Sequence, residues 1–290
     1  SAGAILLSLP SPLLLMLLLL LLLLLLMLVL VSPPPLLLLH GLFGSSSNFR
    51  SPGLALAKRR PVLLADLRNH GASPHSDNCS LESMADDLID TLDASGIEKA
   101  TICGHSLGGK VAMVAALRAP ERFSKLIVVD IAPVAYDHNH PGWKANVEIM
   151  DAMLSLPAAA LASRAEADKA LESAGIGKGA EGQMVRAFLL QNLIADEKRW
   201  RLNLKALREA AASDVFAGFP STLPPAPSSL PVRVIMGTKS PYAITAEHNK
   251  EIQRLFPGAE EGGPLEIVAG HWVHAEKPKE FVAAVDEFAD

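Results

Sequence analysis

A serine with a glycine two residues to either side, in Gly104-His105-Ser106-Leu107-Gly108, is the arrangement in this sequence best suited to covalent chemistry. The apolar run 100–103 precedes it and a helical pattern over 110–118 follows. The serine therefore falls on a strand-to-helix turn so sharp that larger flanking side chains would collide. A hydroxyl is a weak nucleophile at neutral pH and needs an imidazole to take its proton and later deliver it to the leaving group. His271, in Gly270-His271-Trp272, directly follows the apolar run 265–268 and is placed to serve. His274, three residues on, is its competitor but falls deeper in the next turn. His70, His75, His138 and His140 lie in polar loops and read as solvated.

An acid must orient that imidazole and stabilise its charged form. The loop after the penultimate strand pattern reads Gly237-Thr238-Lys239-Ser240-Pro241-Tyr242 and offers no carboxylate before Glu247. Asp130 ends the run 127–129, and an aspartate at the carboxyl end of a buried strand points to where the active sites of parallel sheets lie. Asp130 is therefore favoured over Glu247, which also keeps the chain order Ser, Asp, His.

An oxyanion formed during acyl transfer needs two backbone N–H donors. Leu107, the residue after the nucleophile, supplies one. The other is expected from His40-Gly41-Leu42-Phe43-Gly44, where glycines let the backbone approach a substrate, with Leu42 the donor. His40, Phe43 and His105 adjoin these groups as auxiliary positions, and His40 itself reads as a loop-bracing histidine.

The elements that must position these residues follow from hydrophobic spacing. Strands are predicted over 36–39, 62–66, 100–104, 125–131, 232–237 and 265–268; each is short and unalternating, as in strands buried on both faces. Helices are predicted over 81–94 and 281–288, and another within 48–60, its start pushed late by Pro52 and Gly53. Alternation of the two types predicts an α/β fold, a mostly parallel sheet flanked by helices. The predicted core is 33–131 together with 231–290. Residues 132–230 form an excursion without a convincing strand, read as an inserted helical lid with periodic stretches at 146–156, 158–171, 183–194 and 200–211.

Half of the 290 residues are hydrophobic, a fifth are charged and the formal net charge is -5, so the chain lacks the basic footprint of a nucleic-acid binder. Cys79 and Cys103 are too few for a disulfide scaffold or zinc cluster and read as free thiols. Residues 1–32 are leucine-rich, and the unbroken run 13–31 is long enough to span a bilayer, so membrane contact is expected only there. No Lys or Arg precedes that run, and the chain starts with serine, as a fragment would. The segment therefore reads either as an anchor or signal, or as a low-complexity artefact or the tail of a targeting peptide. The compartment is left open between an organelle, mitochondrion or plastid, and the cytoplasm.

Beyond the nucleophile turn, the strings HGLFGSSSNFRS from His40, DLRNHGASPHSD from Asp66, VVDIAPV from Val128 and GHWVHAEKP from Gly270 together resemble one family. It comprises the alpha/beta-hydrolase esterases and thioesterases that include bacterial YbfF and the eukaryotic abhydrolase domain-containing protein 11. The lid agrees as well, in SRAEADKAL from Ser163, VRAFLLQNL from Val185 and WRLNL from Trp200. The resemblance runs from about Pro33 to the end. It implies the alpha/beta-hydrolase fold, Asp130 as the acid, Ser240 as an auxiliary residue near the triad, small to medium acyl esters or thioesters as substrates, and no metal or organic cofactor. The family begins with two antiparallel strands before the strand at Leu36; leucines occupy that stretch here, which leaves the sheet edge absent or replaced.

The reading is a serine hydrolase acting through an acyl-enzyme on a small-molecule ester or thioester. A ligand-binding or regulatory protein on the same fold, with little turnover, is the alternative, and a truncated, unstable product is a third. Serine at the nucleophile turn disfavours the dehalogenases and epoxide hydrolases of this fold, which use aspartate.

Overall fold

The computed structural model describes residues 16–21, 33–136, 139–177, 179–213, 215–220 and 222–290. Two compact units separate, Ser1–Pro33 and Pro34–Asp290. In the first, residues 16–21 are helical; the remainder of the run 13–31, like His138, lies outside the described residues. No helix of the described residues is long and apolar enough to cross a membrane.

The second unit is built on β1 (Leu36–Leu39), β2 (Val62–Ala65), β3 (Ala100–His105), β4 (Phe123–Val129), a short antiparallel pair β5 (Leu193–Ile194) and β6 (Arg199–Trp200), then β7 (Val232–Gly237) and β8 (Leu265–Ile267). Six of these form one sheet in the order β2-β1-β3-β4-β7-β8, every pairing parallel. Successive side chains leave a strand on opposite faces, and Leu36 and Leu38 join one apolar cluster while Leu37 and Leu39 join the other. That two-sided burial is why β1 is an uninterrupted apolar run, whereas β7 carries Arg233 and the edge strand β8 exposes Leu265 and Glu266.

Helices cover both faces: α1 (Arg50–Leu56), α2 (Leu81–Ala94), α3 (Leu107–Arg118), α4 (Pro141–Ser155), α5 (Arg164–Ser173), α6 (Gly179–Leu189), α7 (Leu204–Ala212), α8 (Ala246–Leu255), α9 (Val273–Glu276) and α10 (Pro278–Ala289). On one face, α2 and α3 bring Met84, Leu88, Val111 and Val114 against Leu37, Ile102 and Val128. On the other, Phe49, Leu56, Phe281 and Val285 meet Leu38, Ile127 and Ile235. Helices α4 to α7 belong to the excursion between β4 and β7.

Three expectations are corrected. α1 starts before Pro52 rather than after it, because Pro52 falls in the first turn, where backbone N–H groups have no helical partner to lose. The strand predicted over 125–131 runs Phe123–Val129: Asp130 turns to φ 58°, which ends the extended backbone. The excursion is not strand-free, since β5 and β6 pair within it. Among the described residues no strand pairs with the outer edge of β2.

Candidate active site

Ser106 sits between β3 and α3 at φ 52° and ψ -119°, a strained conformation for a residue with a side chain. Its N–H donates to the Val129 carbonyl at 3.0 Å. The flanking glycines are sterically required. A Cβ on Gly104 would lie 2.1 Å from the Gly108 carbonyl oxygen, and one on Gly108 would lie 2.5 Å from that of His40. Spacing alone demanded small residues here; the structure gives the collisions they avoid.

Asp130 leaves β4 with its carboxylate fully buried. Oδ1 accepts the Gly237 N–H at 2.8 Å, and Oδ2 accepts both Nδ1–H of His271 at 2.6 Å and the Ser240 hydroxyl. Ser240 Oγ in turn accepts the Tyr242 N–H at 3.0 Å. The loop after β7, which has no acid of its own, thus supplies hydrogen-bond donors to an acid borne by β4. Glu247 is exposed in the first turn of α8 and makes no contact with His271.

His271 is half-buried between the rings of Tyr242 at 4.6 Å and His105 at 4.7 Å. With Nδ1 donating to Asp130, Nε2 carries the lone pair a general base needs. Among the described contacts no hydrogen bond joins it to the Ser106 hydroxyl. His105 braces this ring from behind, its Nε2–H donating to the His271 carbonyl at 2.8 Å. Burial, then the proximity of His271 and His274, hold the His105 pKa well below its ordinary value, so its ring is neutral. His274 is buried against Phe49 at 4.5 Å, and burial pushes its pKa down to about 3.

The loop after β1 approaches Ser106 closely. A Cβ on Gly41 would meet His105 Nδ1 at 2.9 Å and Ser106 Cβ at 3.0 Å. The Gly44 N–H closes a turn on the Gly41 carbonyl, with Phe43 at φ 62°. Leu42 and Leu107 both line the small cleft beside Ser106, and Leu107 is the first residue of α3, whose N–H has no helical acceptor. His40 is buried and braces this loop: Nδ1–H donates to the Gly41 carbonyl at 2.8 Å and Nε2 accepts the Leu67 N–H at 3.0 Å.

His70, expected in solvent, is instead fully buried beside His40, 5.1 Å between rings, with burial pushing its pKa to about 3. Its flanking polar residues turn back onto the core: the Asn69 side chain reaches Cys79, and Asp66 accepts the backbone N–H groups of Ser46 and Ala72. His75 is exposed, and His140 caps α4. Cys79 and Cys103 are free and buried.

Two site neighbours escaped the sequence reading. Asn192 is buried and donates to the Phe43 carbonyl at 2.7 Å, tying the excursion to the loop after β1. Lys110 is buried on α3 with its ammonium among backbone carbonyls, and burial lowers its pKa to about 7. A lysine four residues after Ser106, in a helix otherwise apolar until Arg118, was the available signal. The cleft it lines holds about 30 Å³ of free space; a larger trench of about 390 Å³ runs along the carboxyl end of β2 and α2, away from Ser106, Asp130 and His271. The described residues contain no cluster of three or more His, Cys, Asp or Glu able to hold a metal ion.

Comparison with known proteins gives a consistent picture. The family described as alpha/beta hydrolase fold matches residues 34–278. The mouse protein named sn-1-specific diacylglycerol lipase ABHD11 is 41% identical over 259 residues, covering 86% of this chain and 79% of its own length. Esterase YbfF of Escherichia coli K12 is 34% identical, covering 87% of this chain and 91% of its own. A solved structure, a marine microorganism esterase, superposes with a TM-score of 0.80 at 35% identity, covering 89% of this chain and 95% of its own.

Proposed function

The chain belongs to the alpha/beta-hydrolase family and is a carboxylic ester hydrolase, and from that premise we propose that it works by a Ser106-His271-Asp130 triad through an acyl-enzyme. The observation that carries the proposal is the 2.6 Å hydrogen bond between His271 and the buried Asp130 carboxylate, beside a serine held on a strained turn. In this scheme Nε2 of His271 takes the Ser106 proton as the hydroxyl oxygen attacks the carbonyl carbon. The tetrahedral oxyanion is held by the N–H groups of Leu42 and Leu107. Collapse expels the alcohol or thiol, protonated by His271, and water repeats the cycle on the acyl-enzyme.

Asp130 contributes by fixing the tautomer and stabilising the imidazolium. Three donors surround its carboxylate, so it serves as a fixed anion and not as a proton carrier. Helices α4 to α7 act as the lid, with Trp143 and Phe216 forming apolar wall over the cleft. The substrates are small-molecule acyl esters or acyl thioesters.

Hydrolysis of p-nitrophenyl esters by the full chain and by Ser106→Ala, with fluorophosphonate labelling and peptide mapping, tests the reading. Turnover abolished in the variant and label found on Ser106 are expected. A folded wild-type chain that takes up no label, or a variant that turns over at the parent rate, overturns it.

A further inference from the structure

The excursion between β4 and β7 leaves and rejoins the sheet through a neck, residues 132–136 going out and 216–220 coming back. The two sides of the neck touch directly, the Tyr136 N–H donating to the Ala217 carbonyl at 3.0 Å. Between them lies one cation. Nζ of Lys110 donates to the carbonyls of Val134 at 2.9 Å, Ala217 at 2.5 Å and Gly218 at 2.9 Å, with that of Phe216 at 3.5 Å, and sits 4.9 Å from the centre of the Tyr136 ring. An ammonium has three N–H bonds, and all three are used. No carboxylate is among its partners; oriented carbonyl dipoles and a π face replace the water it has lost.

Lys110 is also one helical turn from the nucleophile, its own N–H donating to the Ser106 carbonyl at 3.1 Å. A single turn of α3 therefore joins the reacting serine to both strands of the neck. Three neck residues, Tyr136, Phe216 and Ala217, line the cleft with Ser106. The free space there is about 30 Å³, against roughly 300–1,000 Å³ for ordinary ligand pockets. A cleft this tight takes a short acyl chain unless its wall moves, and the wall is pinned where Lys110 holds it.

We propose that Lys110 is a positioning residue that sets acyl-chain length, by pinning both strands of the lid neck to the nucleophile helix and so fixing the wall formed by Tyr136, Phe216 and Ala217. The proposal rests on the ester-hydrolase reading above and deepens it by tying acyl-chain length to one residue outside the triad. The side chain acts through the neck; its donors are all engaged and none is free for substrate.

The test is a series of p-nitrophenyl esters from acetate to decanoate, with the full-length wild-type chain, Lys110→Met and Lys110→Gln. Methionine has lysine's reach without donors, and glutamine keeps two donors on a shorter arm. The wild type is expected to favour butyrate or shorter over octanoate. In Lys110→Met the ratio of kcat/KM for butyrate to that for octanoate should fall at least tenfold, chiefly through KM, with Lys110→Gln between the two. A wild type that prefers octanoate overturns the proposal, as does a folded Lys110→Met with the parental profile, or one whose loss lies in kcat alone. If both variants fail to fold, Lys110 is a folding residue and the specificity role falls. A wild-type chain that hydrolyses none of the esters counts instead against the ester-hydrolase reading.

Discussion

Nδ1 of His271 donates to Oδ2 of Asp130 at 2.6 Å across 141 residues of sequence, and that same oxygen takes the hydroxyl of Ser240. The imidazole is thus oriented by a carboxylate that also accepts the Ser240 hydroxyl and the Gly237 N–H.

Replacing Asp130 by Asn should lower kcat by about 10⁴-fold, the scale expected when the orienting acid can no longer impose the right tautomer. An amide nitrogen turned toward His271, Ser240 or the Gly237 N–H would oppose a donor. Steady-state hydrolysis of a p-nitrophenyl ester checks the rate, and circular dichroism checks the fold; kcat within tenfold of wild type would remove Asp130 from the role.

Ser240→Ala deletes one charge-assisted hydrogen bond while leaving those from His271 and Gly237. Such a bond is worth roughly 1.5–3 kcal/mol, and because the carboxylate keeps two partners the expected fall in kcat is on the order of tenfold. KM should change little, since Ser240 faces the acid and not the cleft. A fall confined to KM would place the residue in substrate binding.

Gly41→Ala puts a methyl within 2.9 Å of His105 Nδ1 and 3.0 Å of Ser106 Cβ. The loop carrying Leu42 must then retreat from the nucleophile. Loss of one oxyanion donor costs about 10² to 10³ in kcat, and that is the expected effect in a chain that still folds. Activity near wild type would mean that the donor comes from elsewhere.

Acid should destabilise the fold well before its carboxylates titrate. His70 and His274 are buried with pKa values near 3, against an ordinary 6.5 when unfolded. Between those values the unfolded chain binds more protons, so stability is fully present above pH 6.5 and lost as pH falls toward 3. The loss is about 1.4 kcal/mol per pH unit per histidine. The melting temperature should drop by several degrees from pH 7.5 to 5, and His274→Phe should reduce that drop. A flat profile over this range would contradict the burial of both rings.

Much of this architecture was legible because burial on two faces writes itself as apolar runs: β1, α2 and β7 begin and end where hydrophobic spacing put them. Asp130 is favoured over Glu247 from its place at a strand end, and it is Asp130 that His271 touches. Illegible were features decided by contacts between distant segments. His70 sits among polar residues in sequence, yet Asn69, Asp66 and Ser73 spend their polar groups on the local turn and leave the ring to the core. The role of Lys110 depends on carbonyls 24 to 108 residues away, which no local pattern encodes.

The order in which the site's parts occur along the chain has a consequence for synthesis. Ser106 and Asp130 emerge from the ribosome together, but the base, its bracing contact to His105 and the Ser240 hydroxyl all follow the excursion. Until β7 has inserted beside β4 and β8 beside β7, the proposed nucleophile lacks its base and the proposed acid lacks the donors that surround it in the finished fold. Under the proposed triad, hydrolytic competence therefore requires the segments that follow the excursion.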